Sequence, residues 1–528
     1  KLTKQAVKWI ENREECLLTG GREQEHEVDF AINADGRILG IRDHFLANVG
    51  APGGTPGWGM AFLTGLSMPG PYDVADLDVL ANIVVTNKAP WSSCRGYGKE
   101  VTALALELGI DKAARELNMD PVQLRYKNFI KSDAFPKKSA TGLIYDSGDY
   151  QGVMEKTLQL IDYDGFRDQQ DALREEGTYA GIGVAYELTP EGGALPGTLV
   201  AGYDTSTVKV DPSGFVTVLT GVTDPGGGNR TGIGQIVADE LGVEFEKIRV
   251  VQGDTQSCPY GFGNYSGRST IVGGGSAALA AQDIKLKIIT LAAVMMEVPE
   301  ETIEIAGGII STSADAGSQM SFVEVCYAAY TRNYDIAACI EPPLESTRTF
   351  KPGLISHTPD EEGKINPYPS YSNAAYAVVC EVDIETGKVS LKKFAVVHDC
   401  GKTINPILVE GQACGAVAFG IGGMLGEEIL VDESGRQLTT DLVDYTMPRA
   451  ADVPPIALGH HDTPNPITFM GLKGAGEAGV GGSAAAVVNA VNDALKCLNV
   501  EVLELPVSAP IVWKAIQAAS LGSTETES

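Results

Sequence analysis

One carboxylate stands inside a run of glycines near the C-terminus: Lys473-Gly474-Ala475-Gly476-Glu477-Ala478-Gly479-Val480-Gly481-Gly482, directly before the apolar stretch Ala484 to Leu495. Glycines let a backbone approach a bulky ligand closely. An acid held there, with Lys473 as its only basic neighbour in sequence, is a candidate general base. Taken alone, it reads first as a helix-start acid favoured by the helix dipole. Three more glycine-rich loops stand out: Cys94-Arg95-Gly96-Tyr97-Gly98, Pro225-Gly226-Gly227-Gly228-Asn229-Arg230-Thr231, and Gly267-Arg268-Ser269-Thr270-Ile271-Val272-Gly273-Gly274-Gly275. Helix starts of this composition bind phosphates through exposed N–H groups. Several in one chain suggest a large phosphorylated cofactor, although any single one also reads as a tight turn. A dinucleotide fingerprint competes, but neither glycine triplet forms a clean G-x-G-x-x-G after a strand with an acid about 20 residues on. The nine cysteines include no C-x-x-C pair, and the six histidines show no ligand spacing, with His460 and His461 reading as a surface loop. No metal, iron–sulfur or disulfide framework built from protein side chains is expected.

The elements that must position these loops alternate between hairpins and helices. Val28 to Ile32, the turn Asn33 to Gly36, and Ile38 to Phe45 read as paired strands. A Gly/Pro-rich loop is expected from Gly50 to Trp58, an apolar stretch from Val79 to Val85, and a helix from Lys99 to Leu117. Asp120-Pro121 opens another helix through Phe129. A polar connector follows from Phe135 to Gly177, with a helix near Tyr150 to Ile161. Further hairpins are Thr207 to Thr220 around Asp211-Pro212-Ser213-Gly214, and Ala375 to His398 around Glu385-Thr386-Gly387. Helices are expected at Gly232 to Leu241, Val272 to Leu291 and from Gln412, with a strand at Ile248 to Gln252. Val7 to Ile10 reads as the edge of a strand or helix. The recurring turns point to antiparallel pairs and away from a βαβ series.

A chain of 528 residues exceeds one ordinary core. A net charge of −29 disfavours nucleic acid and anionic membrane surfaces. We find neither a secretory signal nor an apolar run of about 18 residues, so a soluble cytoplasmic protein without membrane insertion is expected. The chain opens at Lys1 as though in the middle of a longer architecture.

Taken in chain order, these segments resemble the large, molybdenum-binding subunit of the xanthine dehydrogenase/aldehyde oxidase family. The resemblance rests on Val7-Lys8-Trp9 with Arg13-Glu14-Glu15, Arg95-Gly96-Tyr97-Gly98, Gly267 to Gly275, and His398-Asp399-Cys400-Gly401 with Asn405-Pro406 and Glu410-Gly411-Gln412. It continues through Asp444-Tyr445-Thr446-Met447-Pro448 and Lys473-Gly474-x-Gly476-Glu477. It implies an α+β fold of two elongated molybdopterin-binding domains with antiparallel sheets and packed helices, over 1–177 and 178–521, and a disordered tail at 522–528. It implies a molybdenum–pyranopterin, in the cytosine dinucleotide form usual for bacterial relatives, with the metal held by the pterin and not by protein side chains. Glu477 is then the base toward a metal-bound hydroxyl, and the reaction is hydroxylation of an electron-poor carbon in an N-heterocycle or aldehyde, with water as the oxygen source.

The other roles carry over position by position. Arg95, Tyr97 and Leu63 border the substrate. Arg95, Gly96, Gly226, Gly227, Gly228, Ser269, Thr270, Gly273, Gly274, Gly275, Gln412 and Gly476 contact the cofactor. The implied partners are an iron–sulfur subunit with 2Fe-2S clusters, an FAD subunit, and a subunit supplying the family's N-terminal portion. The chain departs from the pattern in Lys99-Glu100-Val101 after the loop, where a Pro-Gln or Pro-Glu step is usual, and in Gly227, where Gln is common. Gly96 occupies the position of the copper-binding Cys of carbon monoxide dehydrogenases, with Cys94 on the other side of Arg95. Apolar Leu63 occupies the position of an Arg in purine-oxidising members. Leu63, Trp91 and Tyr97 suggest an apolar pocket, or simply core packing. A non-catalytic cofactor-binding or assembly subunit is the alternative within the family, and a nicotinamide-dependent dehydrogenase the alternative outside it.

Overall fold

The computed structural model describes residues 3–18, 21–52, 55–195, 201–315, 317–356, 358–477 and 479–525. The chain is a mixed α+β protein. Its first sheet has strands β1 (Gln24–Ile32), β2 (Ile38–Asn48) and β3 (Asp76–Val84). The β1–β2 hairpin is antiparallel, as the Asn33 to Gly36 turn predicts, but β2 and β3 run parallel. Helix α1 (Thr55–Leu66) lies between them in sequence, where a Gly/Pro-rich loop is expected; residues 53–54 of that loop lie outside the described residues. Three glycines and a proline mask this helix in sequence, and its packing on β3 and the next helix stabilises it instead.

Helices α2 (Lys99–Glu116) and α3 (Pro121–Asn128) follow, the second capped by Asp120, whose carboxylate accepts from the Val122 and Gln123 N–H groups. A short ladder, β4 (Lys137–Lys138) with β5 (Ile144–Tyr145), leads to α4 (Tyr150–Ile161) and α5 (Tyr163–Glu175), the latter within the expected polar connector. Val7 to Ile10 has no regular structure.

The central sheet has the order β16-β15-β14-β6, from β6 (Tyr179–Glu191), β14 (Ser370–Val382), β15 (Val389–Asp399) and β16 (Ile456–His460). β6 and β14 pair antiparallel over 13 residues, whereas β15 and β16 run parallel. Every residue of helix α10 (Val480–Leu495) is buried, and it lies directly on β6 and β14. Alternate glycines of β6 admit it: a Cβ at Gly181 or Gly183 would stand 2.1 Å from the carbonyl oxygen of Ala490 or Ala486. This contact explains the small-residue composition of α10, since any larger side chain on either element would hold strand and helix apart.

A third sheet, β13-β7-β8-β9, is built from β7 (Asp204–Val210), β8 (Val216–Thr220), β9 (Ile248–Val251) and β13 (Glu345–Phe350). Helices α6 (Asn229–Leu241) and α7 (Gly275–Met296) cover it, and their apolar faces form one core with Val208, Val216 and Val218. A small sheet of β10 (Ile303–Ala306), β11 (Ile309–Thr312) and β12 (Gln319–Ser321) precedes α8 (Phe322–Thr331). Helix α9 (Pro406–Leu425) starts six residues before the expected Gln412. It is also long and apolar enough, by length and composition, to cross a membrane, contrary to the sequence expectation that no such run exists. Its inner residues, including Ala416, Val417 and Ile421, pack beside α10. The last helix, α11 (Ala509–Glu525), runs past the expected start of the tail at 522; residues 526–528 lie outside the described residues.

The sheets are therefore mixed, and parallel pairs β2–β3, β8–β9 and β15–β16 each enclose a helix, so βαβ units do occur within the antiparallel frame. One core also unites the two halves of the chain: Leu106, Leu124 and Tyr150 pack with Ile182, Tyr186 and Ala377. Arg125, fully buried, pairs with Glu107 at 2.8 Å and donates to the Val184 carbonyl, tying α2, α3 and β6 together.

Candidate active site

A cavity of about 880 Å³ opens where helix starts converge. Trp58 and Gly59 come from the first turns of α1, and Arg95 and Lys99 from the entry to α2. Gly226 to Asn229 come from the entry to α6, and Ser269 and Thr270 from the π-helical turn Ser269–Gly274 before α7. Asn405 and Gln412 come from the beginning of α9, and Gly476 and Glu477 from the loop into α10. Aligned peptide dipoles make each helix start weakly positive. An acidic chain thereby presents a cavity suited to an anionic ligand.

The structure brings Leu63, Arg95, Tyr97, Gly226, Gly227, Gly228, Ser269, Thr270, Gln412, Gly476 and Glu477 to this one cavity. Gly96 is not on its wall and lies against the Glu100 side chain. Gly273, Gly274 and Gly275 are also off the wall. They are buried under the π turn, where a Cβ would meet Val222, Ile236 and Phe350 respectively, so close packing is their local role. Trp91 is buried with Phe45, Val49 and Met60, away from the lining.

The Arg95 loop is held in an unusual backbone. Gly96, Tyr97 and Gly98 all have positive φ, at 101°, 53° and 95°. A non-glycine residue there is uncommon, and Tyr97 is kept in it by its neighbours: its hydroxyl packs on Gly59 of α1. At Gly98 a Cβ would lie 2.1 Å from the Met60 carbonyl oxygen, so only glycine lets α2 start so close to α1. The Arg95 side chain points across the site. Its Nε donates to the Gly476 carbonyl at 2.6 Å, and a terminal nitrogen donates to the Gln412 carbonyl at 2.9 Å. Behind the loop Arg22 pairs with Glu100 at 2.8 Å, donates to the Arg95 carbonyl, and covers the Phe419 ring. Cys94 lines the cavity, and its sulfur receives a hydrogen bond from Arg22.

Both oxygens of Glu477 are engaged. Oε1 accepts from the Ser266 N–H at 2.8 Å, and Oε2 is paired with the Lys99 ammonium. Its cationic neighbour is therefore Lys99, the first residue of α2, 378 residues earlier, and not Lys473. The Lys473 ammonium turns away to Asp399 and Thr463, both at 3.0 Å, and to the Ser147 carbonyl. Deeper in, burial pushes the Glu191 carboxyl up to about 8, against the attraction of Lys99, and the Glu187 carboxyl up to about 7. Glu187 accepts from the Gly479 and Gly482 N–H groups and so fixes the start of α10. Tyr368, buried over Lys99 and Glu477, is pushed up to about 12 by burial. Sequence reasoning missed Lys99 except as a departure from the family pattern, and nothing in sequence marked Glu191, Tyr368 or Trp58.

The Gly226 to Gly228 loop follows β8 and opens α6 within a parallel unit, the setting of a phosphate loop. Its amides are not all free for a ligand, because Asp224 accepts from the N–H groups of Gly226, Gly228 and Arg230 at 2.9, 3.2 and 3.1 Å. These bonds help hold the Asp224 carboxyl below its ordinary range, against the opposing effect of burial. Bare surface is offered instead at scattered glycines of the cavity wall: Cβ atoms at Gly226, at Gly232 in α6 or at Gly476 in the Glu477 loop would meet open space. Among the described residues no group of three or more His, Cys, Asp or Glu side chains could hold a metal. A broad, glycine-walled cavity with hydroxyls and amides at its rim fits a bulky organic cofactor.

Comparison with known proteins agrees with this geometry. Residues 1–129 and 156–454 match the molybdopterin cofactor-binding domain. The nicotine 6-hydroxylase large subunit of Paenarthrobacter nicotinovorans is 34% identical over 98% of this chain and 62% of its own length. The carbon monoxide dehydrogenase large chain of Hydrogenophaga pseudoflava is 32% identical over 98% of this chain and 64% of its own. Quinoline 2-oxidoreductase from Pseudomonas putida 86 superposes with a TM-score of 0.87 at 32% identity, over 96% of this chain and 64% of that one. The chain thus belongs to the molybdenum-binding large subunits of the xanthine dehydrogenase/aldehyde oxidase family. It spans somewhat under two thirds of the length of these relatives.

Proposed function

We propose that the chain is the catalytic, molybdopterin-binding part of a molybdenum hydroxylase acting on a planar, electron-poor N-heterocycle. The observation that carries this reading is the Glu477 carboxylate, fixed at one end of a cavity large enough for cofactor and substrate together and walled there by Trp58, Leu63, Tyr97 and Tyr368. The bound molybdenum–pyranopterin supplies two-electron redox chemistry and oxygen transfer from water. The protein's part is positional. Gly226 to Gly228, Ser269, Thr270, Gln412 and Gly476 would hold the pterin and its cytosine nucleotide, Arg95 fixes the Glu477 loop, and the Glu477 carboxylate would accept the proton. The aromatic and aliphatic wall orients a flat ring by stacking and excludes water. Relatives named for nicotine and quinoline support a heterocycle over an aldehyde.

In this reading electrons leave through iron–sulfur and FAD subunits, and the portion of the relatives beyond the matched stretch completes the assembly. Buried thiols such as Cys326, Cys380 and Cys400, outside any disulfide, support a reducing, cytoplasmic setting. The test is Glu477→Gln in the purified complex, assayed with N-heterocycles and aromatic aldehydes against an artificial electron acceptor. Turnover of heterocycles should be abolished with molybdenum retained. Loss of molybdenum, or unimpaired turnover, would assign Glu477 a structural role and favour a non-catalytic subunit.

A further inference from the structure

We propose that Lys99 is a positioning residue for Glu477, and that the buried Glu191 serves as a neutral spacer that leaves Lys99 a single charged partner. The inference rests on reading Glu477 as the proton acceptor.

The Lys99 side chain is only 2% exposed and that of Glu477 15%, so their contact is made away from bulk water. Besides Glu477, the ammonium donates to the Pro190 carbonyl at 3.1 Å. Such a buried cation is costly without a full counter-charge, and its own acidity falls accordingly: the paired Lys99 is held above the ordinary lysine range although burial opposes it. With the Ser266 N–H on the other oxygen, the pair fixes both the position and the rotation of the carboxylate.

Glu191 ends β6 within the field of both groups, fully buried, with only the Ser372 hydroxyl and the Gly474 N–H, among the described residues, as polar neighbours beside the Lys99–Glu477 pair. The fold makes room for it: a Cβ at Gly474 would stand 2.3 Å from its Oε2, and one at Gly267 2.9 Å from its Cδ. An ionised carboxylate so desolvated would compete for Lys99, whereas the protonated acid does not. Burial favours the protonated form up to about pH 8. The other groups facing the trio are Arg95, Glu100, Glu187, Tyr368 and Cys400. Arg95 is committed to the Gly476 and Gln412 carbonyls, and Glu100 to Arg22. Glu187 binds two backbone N–H groups, and burial keeps the Tyr368 and Cys400 side chains neutral. Below pH 8, Glu477 is thus the partner that Lys99 retains.

The test uses the intact complex and three variants: Lys99→Met, Lys99→Arg and Glu191→Gln. Removing the cation should move the acid limb of the kcat profile upward by about 1–3 pH units at unchanged molybdenum content, and Lys99→Arg should restore it. An acid limb that stays in place in Lys99→Met overturns the positioning role. Glu191→Gln should remove the decline in kcat above pH 8, where ionised Glu191 draws Lys99 away. It should also delete an infrared carbonyl band of a protonated carboxyl group that titrates near pH 8 in the parent. A band absent from the parent at pH 7, or an unchanged alkaline limb, overturns the role of Glu191. Should Lys99→Met fail to fold, the Glu191→Gln and infrared arms decide. The infrared result does not depend on catalysis, so a Glu477→Gln complex that still turned over would sink the base assignment while leaving the Glu191 band as it is.

Discussion

Replacing Arg95 by Gln should lower kcat about a hundredfold without removing the cofactor. The guanidinium spans the cavity wall and bonds the Gly476 carbonyl at 2.6 Å and the Gln412 carbonyl at 2.9 Å, joining the Glu477 loop to α9. Hydrogen bonds from a charged donor contribute about 1.5–3 kcal/mol each. The glutamine side chain is too short to reach both carbonyls, and water at the half-buried site restores part of the loss. A net weakening of about 3 kcal/mol in the hold on the loop corresponds to about two decades in rate, given about 1.4 kcal/mol per decade. A displacement of about 1 Å at a reacting group has a similar cost. KM should change little, because Leu63, Tyr97 and Trp58 still wall the ring. The assay is steady-state kinetics beside molybdenum analysis, with Arg95→Lys, which can satisfy one carbonyl, falling between the two. A kcat within threefold of the parent for Arg95→Gln would refute the reasoning, and loss of molybdenum would show that Arg95 retains the cofactor instead.

Three further outcomes are expected. Arg125→Met leaves buried Glu107 without its cation and should destabilise the fold by about 3–5 kcal/mol in denaturant titration, with normal kinetics in the molecules that fold. Asp224→Ala releases the N–H groups of Gly226, Gly228 and Arg230, so molybdenum per chain should fall and amide exchange in this loop should rise, while the core stays protected. The stability of the parent should decline as pH rises from the ordinary glutamate value of 4.5 towards about 8, because the folded chain keeps Glu191 protonated where the unfolded chain does not. Glu191→Gln should therefore raise the melting temperature at pH 8 and leave it nearly unchanged at pH 4; a gain of equal size at both would contradict this.

What was legible in sequence was mainly local. The helix Tyr150 to Ile161, the hairpin around Asp211 to Gly214 and the Asp120-Pro121 helix start follow from periodicity, turn chemistry and capping, each within a few residues. Helix α1 was hidden because Pro56, Gly57, Gly59 and Gly65 lower its intrinsic propensity, and tertiary packing overrides propensity. The parallel pairs were hidden because their partners are separated by whole helices. The glycine loops could be picked out as special, but not which face each turns to the ligand: Gly226 to Gly228 face the cavity, whereas Gly273 to Gly275 serve packing. The pairing of Lys99 with Glu477 is beyond any local reading, since 378 residues separate them and only the docking of α2 beside α10 brings them together.

The convergence of the starts of α1, α2, α6, α7, α9 and α10 has a consequence for maturation. These helices come from positions between Thr55 and Leu495, so the cavity wall is assembled from segments spread between Trp58 and Glu477. A ligand bound there holds together segments that are otherwise far apart along the polypeptide, and its affinity is added to the cooperativity of the whole fold. The loaded protein should therefore resist proteolysis in α1 and α10 alike, although they lie far apart along the polypeptide.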